Sequence, residues 1–328
     1  MMMVMQTRRL FLALFAFATM LSLSAPARSQ AWPQRPVKII APNAAGGITD
    51  GVTRIVAQRL GEVFGQQFVI ENRAGASGAI GAEAAARAPA DGYTLFMASL
   101  PVIAIVPATL SARYDPVKDF APISLVSSSP SALVVHASLP VKTLAEFVAY
   151  VRARPQALSY SSGGVATYGN LSMVMFLKRA GLDMVHVPYQ SGAPAMAAVV
   201  GGQVPAHLAS LPDALPQAES GHVRLLAVTS EKRARQIPGV PTISESGFPG
   251  FKAATWNGLV APAGTPRDII DRIAAEVARG AKDPKVIERF VSFGVDPVSS
   301  SPEGFAAMIA EEIPLWAEAV KTAGAKVK

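Results

Sequence analysis

Three short segments of this chain combine residue types that can grip an anion without any cationic side chain. The first is Pro42-Asn43-Ala44-Ala45-Gly46-Gly47-Ile48-Thr49-Asp50. An apolar strand ends there, two glycines turn the chain, and helical spacing begins. Glycine lets backbone N–H groups approach a ligand closely. The first N–H groups of a helix lack internal partners, and the helix dipole favours negative charge at that end. With no Lys or Arg in the loop, a carboxylate held by neutral donors and water fits better than a polyphosphate. Thr49 and Asp50 have a second reading as caps of the helix. Ser161-Ser162-Gly163-Gly164-Val165-Ala166-Thr167 repeats the arrangement, and Tyr189-Gln190-Ser191-Gly192-Ala193-Pro194 does so a third time. Together they point to a ligand whose acceptor groups are gripped from two sides.

Other chemistries find little support. There is no cysteine, which excludes a disulfide framework, thiolate metal sites and a cysteine nucleophile. The G-x-x-x-x-G-K-[ST] phosphate loop and the G-x-S-x-G nucleophile elbow are both missing. Gly75, Gly78 and Gly81 are spaced GxxGxxG rather than as a dinucleotide fingerprint. His136, His186, His207 and His222 form no H-x-x-x-H or H-E-x-x-H pair, so no metal or cofactor is expected. The first three fall on predicted strands and read as core or edge residues. A Ser–His–Asp triad assembles in space and leaves no local signature, but nothing favours one. Trp256 beside Asn257 reads as a core residue, with ligand stacking as the alternative. Arg54 reads as a solvent-facing side chain.

The elements that would position these loops fit in a chain of 328 residues, half of them apolar and 16% charged. That composition excludes a disordered chain and a charged coiled coil. Residues 1–31 read as an export signal. Arg8 and Arg9 precede the apolar run Leu10 to Ala25, and the small residues Ala27, Ser29 and Ala31 follow. Thr7-Arg8-Arg9-Leu10-Phe11-Leu12 also resembles a twin-arginine signal. Past residue 31 the chain carries 27 basic and 23 acidic residues, with no basic stripe that would suit nucleic acid.

Short apolar strands then alternate with amphipathic helices, the pattern of an α/β protein. Val37 to Ala41 begins the series, and Ile48 to Leu60 follows with helical spacing. The pattern restarts after Leu133 to His136, and three helices beginning at Pro266, Pro284 and Pro302 close the chain. Two mostly parallel sheets flanked by helices are implied, with chain crossings near 122–132 and 247–255. The expected division is residues 32–126 plus 253–328 for lobe 1 and 127–252 for lobe 2, with a ligand cleft between them.

At this point the motifs match a known family. The segments are Trp32-Pro-Gln-Arg-Pro36, the 42–50 loop, Glu71-Asn72-Arg73-Ala74-Gly75 and Pro89-Ala-Asp-Gly-Tyr-Thr-Leu95. Val187-Pro-Tyr189, Gly201-Gly-Gln-Val204, Leu226-Ala-Val-Thr-Ser230 and Ala261-Pro-Ala-Gly-Thr-Pro266 continue the series. In this order they resemble the Bug/TctC receptors of tripartite tricarboxylate transporters. The resemblance implies a type II periplasmic binding protein, expected to be monomeric and free of catalysis, that closes on a small carboxylate and delivers it to a cytoplasmic-membrane permease. It implies ligand contacts from Asn43, Ala44, Ala45, Gly46, Gly47, Thr49 and Asp50, from Ser99, and from Ser162, Gly163, Gly164, Thr167, Tyr189, Ser191 and Pro194. A sensor subunit docking on a signalling kinase is the alternative within exported proteins, and a secreted α/β hydrolase the alternative outside them. Asn170 replaces a histidine common in the family. An acidic residue common in the family after Gly-Gly-Gln-Val is replaced near Ala209, and its loss argues against a zwitterionic amino acid and for an uncharged or purely acidic tail.

Overall fold

The computed structural model describes residues 32–325; the proposed export signal lies outside them. Among the described residues, no helix is long and apolar enough to cross a membrane.

Val-Lys-Ile-Ile-Ala forms the first strand, β1 (Val37–Ala41), and its apolar run is buried along nearly its whole length. Such a run suits a strand covered on both faces. It pairs in parallel with β2 (Phe68–Asn72) and with β3 (Thr94–Ser99). The connections are right for parallel neighbours, being helical: α1 (Ile48–Phe64) and α2 (Ala79–Ala86). After β3 the chain makes a π-helical turn over Pro101–Ile105, leads into the short α3 (Val106–Thr109), and runs through β4 (Phe120–Ser129).

A second sheet begins at once with β5 (Ser131–His136). It continues through α4 (Leu144–Arg152), β6 (Ser159–Ser162), α5 (Tyr168–Ala180), β7 (Val185–Pro188), α6 (Gly192–Val200), β8 (Ala206–Ser210), α7 (Leu211–Glu219) and β9 (Val223–Val228). The chain returns to the first sheet as β10 (Thr255–Pro262), and finishes with α8 (Arg267–Gly280), α9 (Pro284–Ser292), β11 (Asp296–Pro297) and α10 (Pro302–Thr322).

The first sheet has the order β11-β4-β10-β3-β1-β2 and the second β7-β6-β8-β5-β9. In each sheet four strands run the same way. Against them run β10 and the short β11 in the first sheet and β5 in the second. Thus β5 and β10, the strands that follow the two crossings, oppose their neighbours. The outgoing and incoming strands of the first sheet are adjacent, with Thr255 opposite Ser129. β4 runs on to Ser129, past the division expected after residue 126, and the crossing falls at Pro130.

The returning strand shows how closely the layers pack. A Cβ on Gly258 would lie 2.1 Å from the Phe305 ring of α10, so only glycine fits. Its neighbour Trp256 is buried edge-on against Phe305 and donates its indole N–H to Glu312 Oε2 at 2.7 Å. Burial pushes the Glu312 carboxyl above its ordinary pKa. Trp256 is therefore a core residue. Strand alternation turns Thr255 and Asn257 to the opposite face.

Candidate functional site

In both sheets the loops that follow parallel strands emerge at one edge, where crevices in open α/β sheets lie. They enclose a cavity of about 410 Å³. From the first sheet come Asn43 and Thr49 at the start of α1, Ser99 at the end of β3, and Asn257 on β10. From the second come Gly163, Thr167 and Gly169 before and within the first turn of α5, Gly192 at the start of α6, and Ser210 and Asp213 at the start of α7.

The first loop is shaped from beneath. Asp50 is buried, and its Oδ2 accepts the Gly46 N–H at 3.0 Å and the Arg54 Nε–H at 2.9 Å. Its Oδ1 accepts the Asn72 amide at 2.9 Å, and the same amide donates to the Asn43 carbonyl at 3.0 Å. Burial opposes the charge on Asp50, but Arg54, Gly46 and Asn72 together hold its carboxyl below the usual range. Asp50 thus braces the loop and does not line the cavity. Thr49 Oγ1 donates to Asn257 Oδ1 at 3.0 Å, and Asn257 Nδ2 donates to Ser127 Oγ at 3.0 Å. The helix entry is thereby tied to the returning strand.

The second loop has a neutral brace. Asn170 is buried, and its Oδ1 accepts the Ala166 N–H at 3.0 Å while its Nδ2 donates to the Tyr160 hydroxyl at 3.0 Å. Burial raises the Tyr160 hydroxyl to about 12. Thr167 caps α5 by accepting the Asn170 N–H. Gly163 is required by proximity, since a Cβ there would lie 2.9 Å from the Gly192 nitrogen. The loop and the start of α6 touch backbone to backbone.

Of the residues expected to bind, Asn43, Thr49, Ser99, Gly163 and Thr167 line this cavity. Ala44, Ala45, Gly46 and Gly47 are exposed beside it, and Ser162 and Gly164 shape the second loop from behind. Ser162 Oγ lies 2.6 Å from His186 Nε2, but Ser162 is fully buried and does not reach the cavity. Tyr189 and Pro194 line a separate shallow depression with Pro188 and Gln190, and the third loop reaches the cavity through Gly192 rather than Ser191.

Sequence reading missed Asn257, His207, Ser210 and Asp213 as cavity residues. His207, which the strand pattern places in the core or at an edge, is buried yet lines the cavity. Asn257 had a signal, the alternation with Trp256 along one strand. Ser210 and Asp213 had another, a Ser-x-x-Asp capping pattern at the end of a strand.

Relatives place this geometry in context. Protein BugT of Bordetella pertussis is 34% identical over 326 residues, 99% of this chain and 100% of its own. An R. palustris protein solved with adipate is 35% identical, with a TM-score of 0.73 over 91% of this chain and all of that one. MatC from Rhodopseudomonas palustris, solved with bound malate, is 31% identical, with a TM-score of 0.67 over 88% of this chain and all of that one. Residues 52–325 match the tripartite tricarboxylate transporter family receptor, TctC. The sheets, the crevice at their common edge and these likenesses agree: the chain is a member of the TctC family of solute-binding receptors.

Proposed function

We infer that this chain is an exported receptor that captures a small carboxylate in the cavity between two lobes and delivers it to a membrane permease of the tripartite tricarboxylate type, without chemistry of its own. One observation carries the reading. The N-terminal turns of four helices, α1, α5, α6 and α7, open onto one cavity, and among the described residues no Lys or Arg lines it. Helix N-termini offer free N–H groups and the positive end of a dipole, which suit a carboxylate without a cationic side chain. The family likeness and the adipate and malate found in relatives support the same reading.

In this reading the lobes are residues 32–129 with 255–325, and 131–252. They close about the paired crossings at Pro130 and near Ala254. Asn43, Thr49, Ser99, Gly163, Thr167 and Gly192 are the first contacts. Residues 1–31 direct the chain to the periplasm, where it acts as a monomer.

The test is thermal unfolding of the chain from residue 32 onward against mono-, di- and tricarboxylates, aromatic acids and amino acids. A ligand at about 100 times its Kd stabilises by about 2.7 kcal/mol. A shift confined to one class of acid supports the reading. No shift with any of them, in protein shown by mass spectrometry to carry no small molecule, refutes it.

A further inference from the structure

The two walls of the cavity differ in what they offer a ligand, and the difference bears on its far end. On the second wall His207 is 4% exposed, and its Nδ1 lies 2.8 Å from the Ser161 carbonyl oxygen. A carbonyl only accepts, so Nδ1 carries the proton. Burial lowers the basicity of the ring, against the opposing pull of the Ser161 carbonyl and the Asp213 carboxylate, and Nε2 is the nitrogen left to accept. Among the described residues that Nε2 has no protein partner. His207 lines the cavity, so Nε2 can be reached there by a donor of the ligand.

Asp213 stands on the same wall. Its Oδ2 accepts the Ser210 hydroxyl at 2.7 Å and lies beside the first residue of α6, where a Cβ on Gly192 would be 3.6 Å away. An exposed carboxylate of the protein itself thus stands near the positive end of α6, without a hydrogen bond to it. No cationic side chain among the described residues lines the cavity to offset it.

We propose that this cavity selects an acid whose far end donates hydrogen bonds, with His207 Nε2 and the Asp213 carboxylate as the acceptors, and that it rejects a second carboxylate at that end. The proposal rests on the carboxylate-receptor reading and sharpens it. A second ligand carboxylate would meet a like charge at Asp213 and no donor at His207. An ammonium or hydroxyl satisfies both. The expectation from Ala209 is thereby reversed. Ala209 is buried in the core beneath the wall, and the acid stands four residues further on, at the start of α7.

The test is calorimetric titration with acids of matched length: caproate, hydroxycaproate, aminocaproate and adipate, then hydroxybutyrate, aminobutyrate and succinate. The amino or hydroxy acid of the better-fitting length should bind at least tenfold more tightly than the matching dicarboxylate. Asp213→Asn should erase most of the preference for the ammonium, while Asp213→Glu, which keeps the charge, should preserve the ranking. Circular dichroism checks that both variants fold. A dicarboxylate bound most tightly, with a ranking unmoved in Asp213→Asn, overturns the proposal and leaves the receptor reading standing. No binding of any acid to either protein overturns both.

Discussion

The loops before α1 and α5 face the same backbone problem and solve it with different charge. Each must hold a tight turn between a strand end and a helix start. Each does so with a buried side chain that reaches back four residues to accept a loop N–H: Asp50 to Gly46, and Asn170 to Ala166. The first brace is ionic and recruits Arg54 and Asn72 around it. The second is neutral and is completed by the Tyr160 hydroxyl. A charge under the loop demands counter-charge and donors, whereas an amide needs one hydroxyl. The first wall therefore keeps its acid beneath the loop, and the second wall presents its acid, Asp213, to the cavity.

Exchanging the two solutions should show how deeply each is built in. Asn170→Asp puts a charge, or a raised-pKa acid, where the Tyr160 hydroxyl and the Ala166 N–H await an amide. Urea unfolding should report a loss of about 3 kcal/mol. The reverse exchange is milder. Asp50→Asn keeps the volume and one acceptor for Gly46 but weakens the charge-assisted bonds, with an expected loss of about 1–2 kcal/mol. If both cost the same, the distinction between ionic and neutral braces fails.

Asn257→Ala leaves both braces intact and frees Thr49. We expect about tenfold weaker ligand binding together with a loss of about 1–3 kcal/mol in stability, read by titration and thermal melting.

A smaller effect belongs to pH and to the second wall. The pKa of His207 is depressed in the fold from 6.5, so the unfolded chain takes up the proton first as pH falls. Its contribution is complete above pH 6.5 and is lost below it. His186, also depressed by burial, has the same sign. His207→Gln should flatten, not abolish, the decline in stability on the acid side, measured by melts across pH. Smallest of all is Arg54→Ala. Arg54 is more than half exposed, and Gly46 and Asn72 still hold Asp50, so melting should barely move.

Much of this was legible along the chain. The apolar run of β1, the helical spacing of α1 and the prolines that open the last helices mark their elements directly. The glycine loops marked the edge at which the cavity lies. What local pattern does not carry is pairing between distant segments. Thr49 meets Asn257 across 208 positions, and the two-residue β11 exists only because β4 extends far enough to receive it. The π-helical turn after Ser99 also escaped, because a Val-Ile-Ala-Ile-Val run bounded by prolines has no period that distinguishes it from a strand. Asp213 was hidden for another reason. Its hydrogen bond from the Ser210 hydroxyl accounts for it locally, and only the approach of α6 gives it a second role.

The adjacency of β4 and β10 has a consequence for how such molecules can be taken apart. Ser129 and Thr255 are ladder neighbours, so the ends of the intervening segment lie about one strand spacing apart, roughly 5 Å. In architectural terms the second sheet and its helices are a cassette spliced into a host at a single point. A graft that exchanges residues 131–252 for the corresponding segment of a relative cuts the chain at two joints in one place, and must still match α10, where Trp316 packs on Tyr168 and Glu318 pairs with Lys178. New ligand preferences can therefore be acquired by replacing one half of the grip, while the strand order of the host stays as it was.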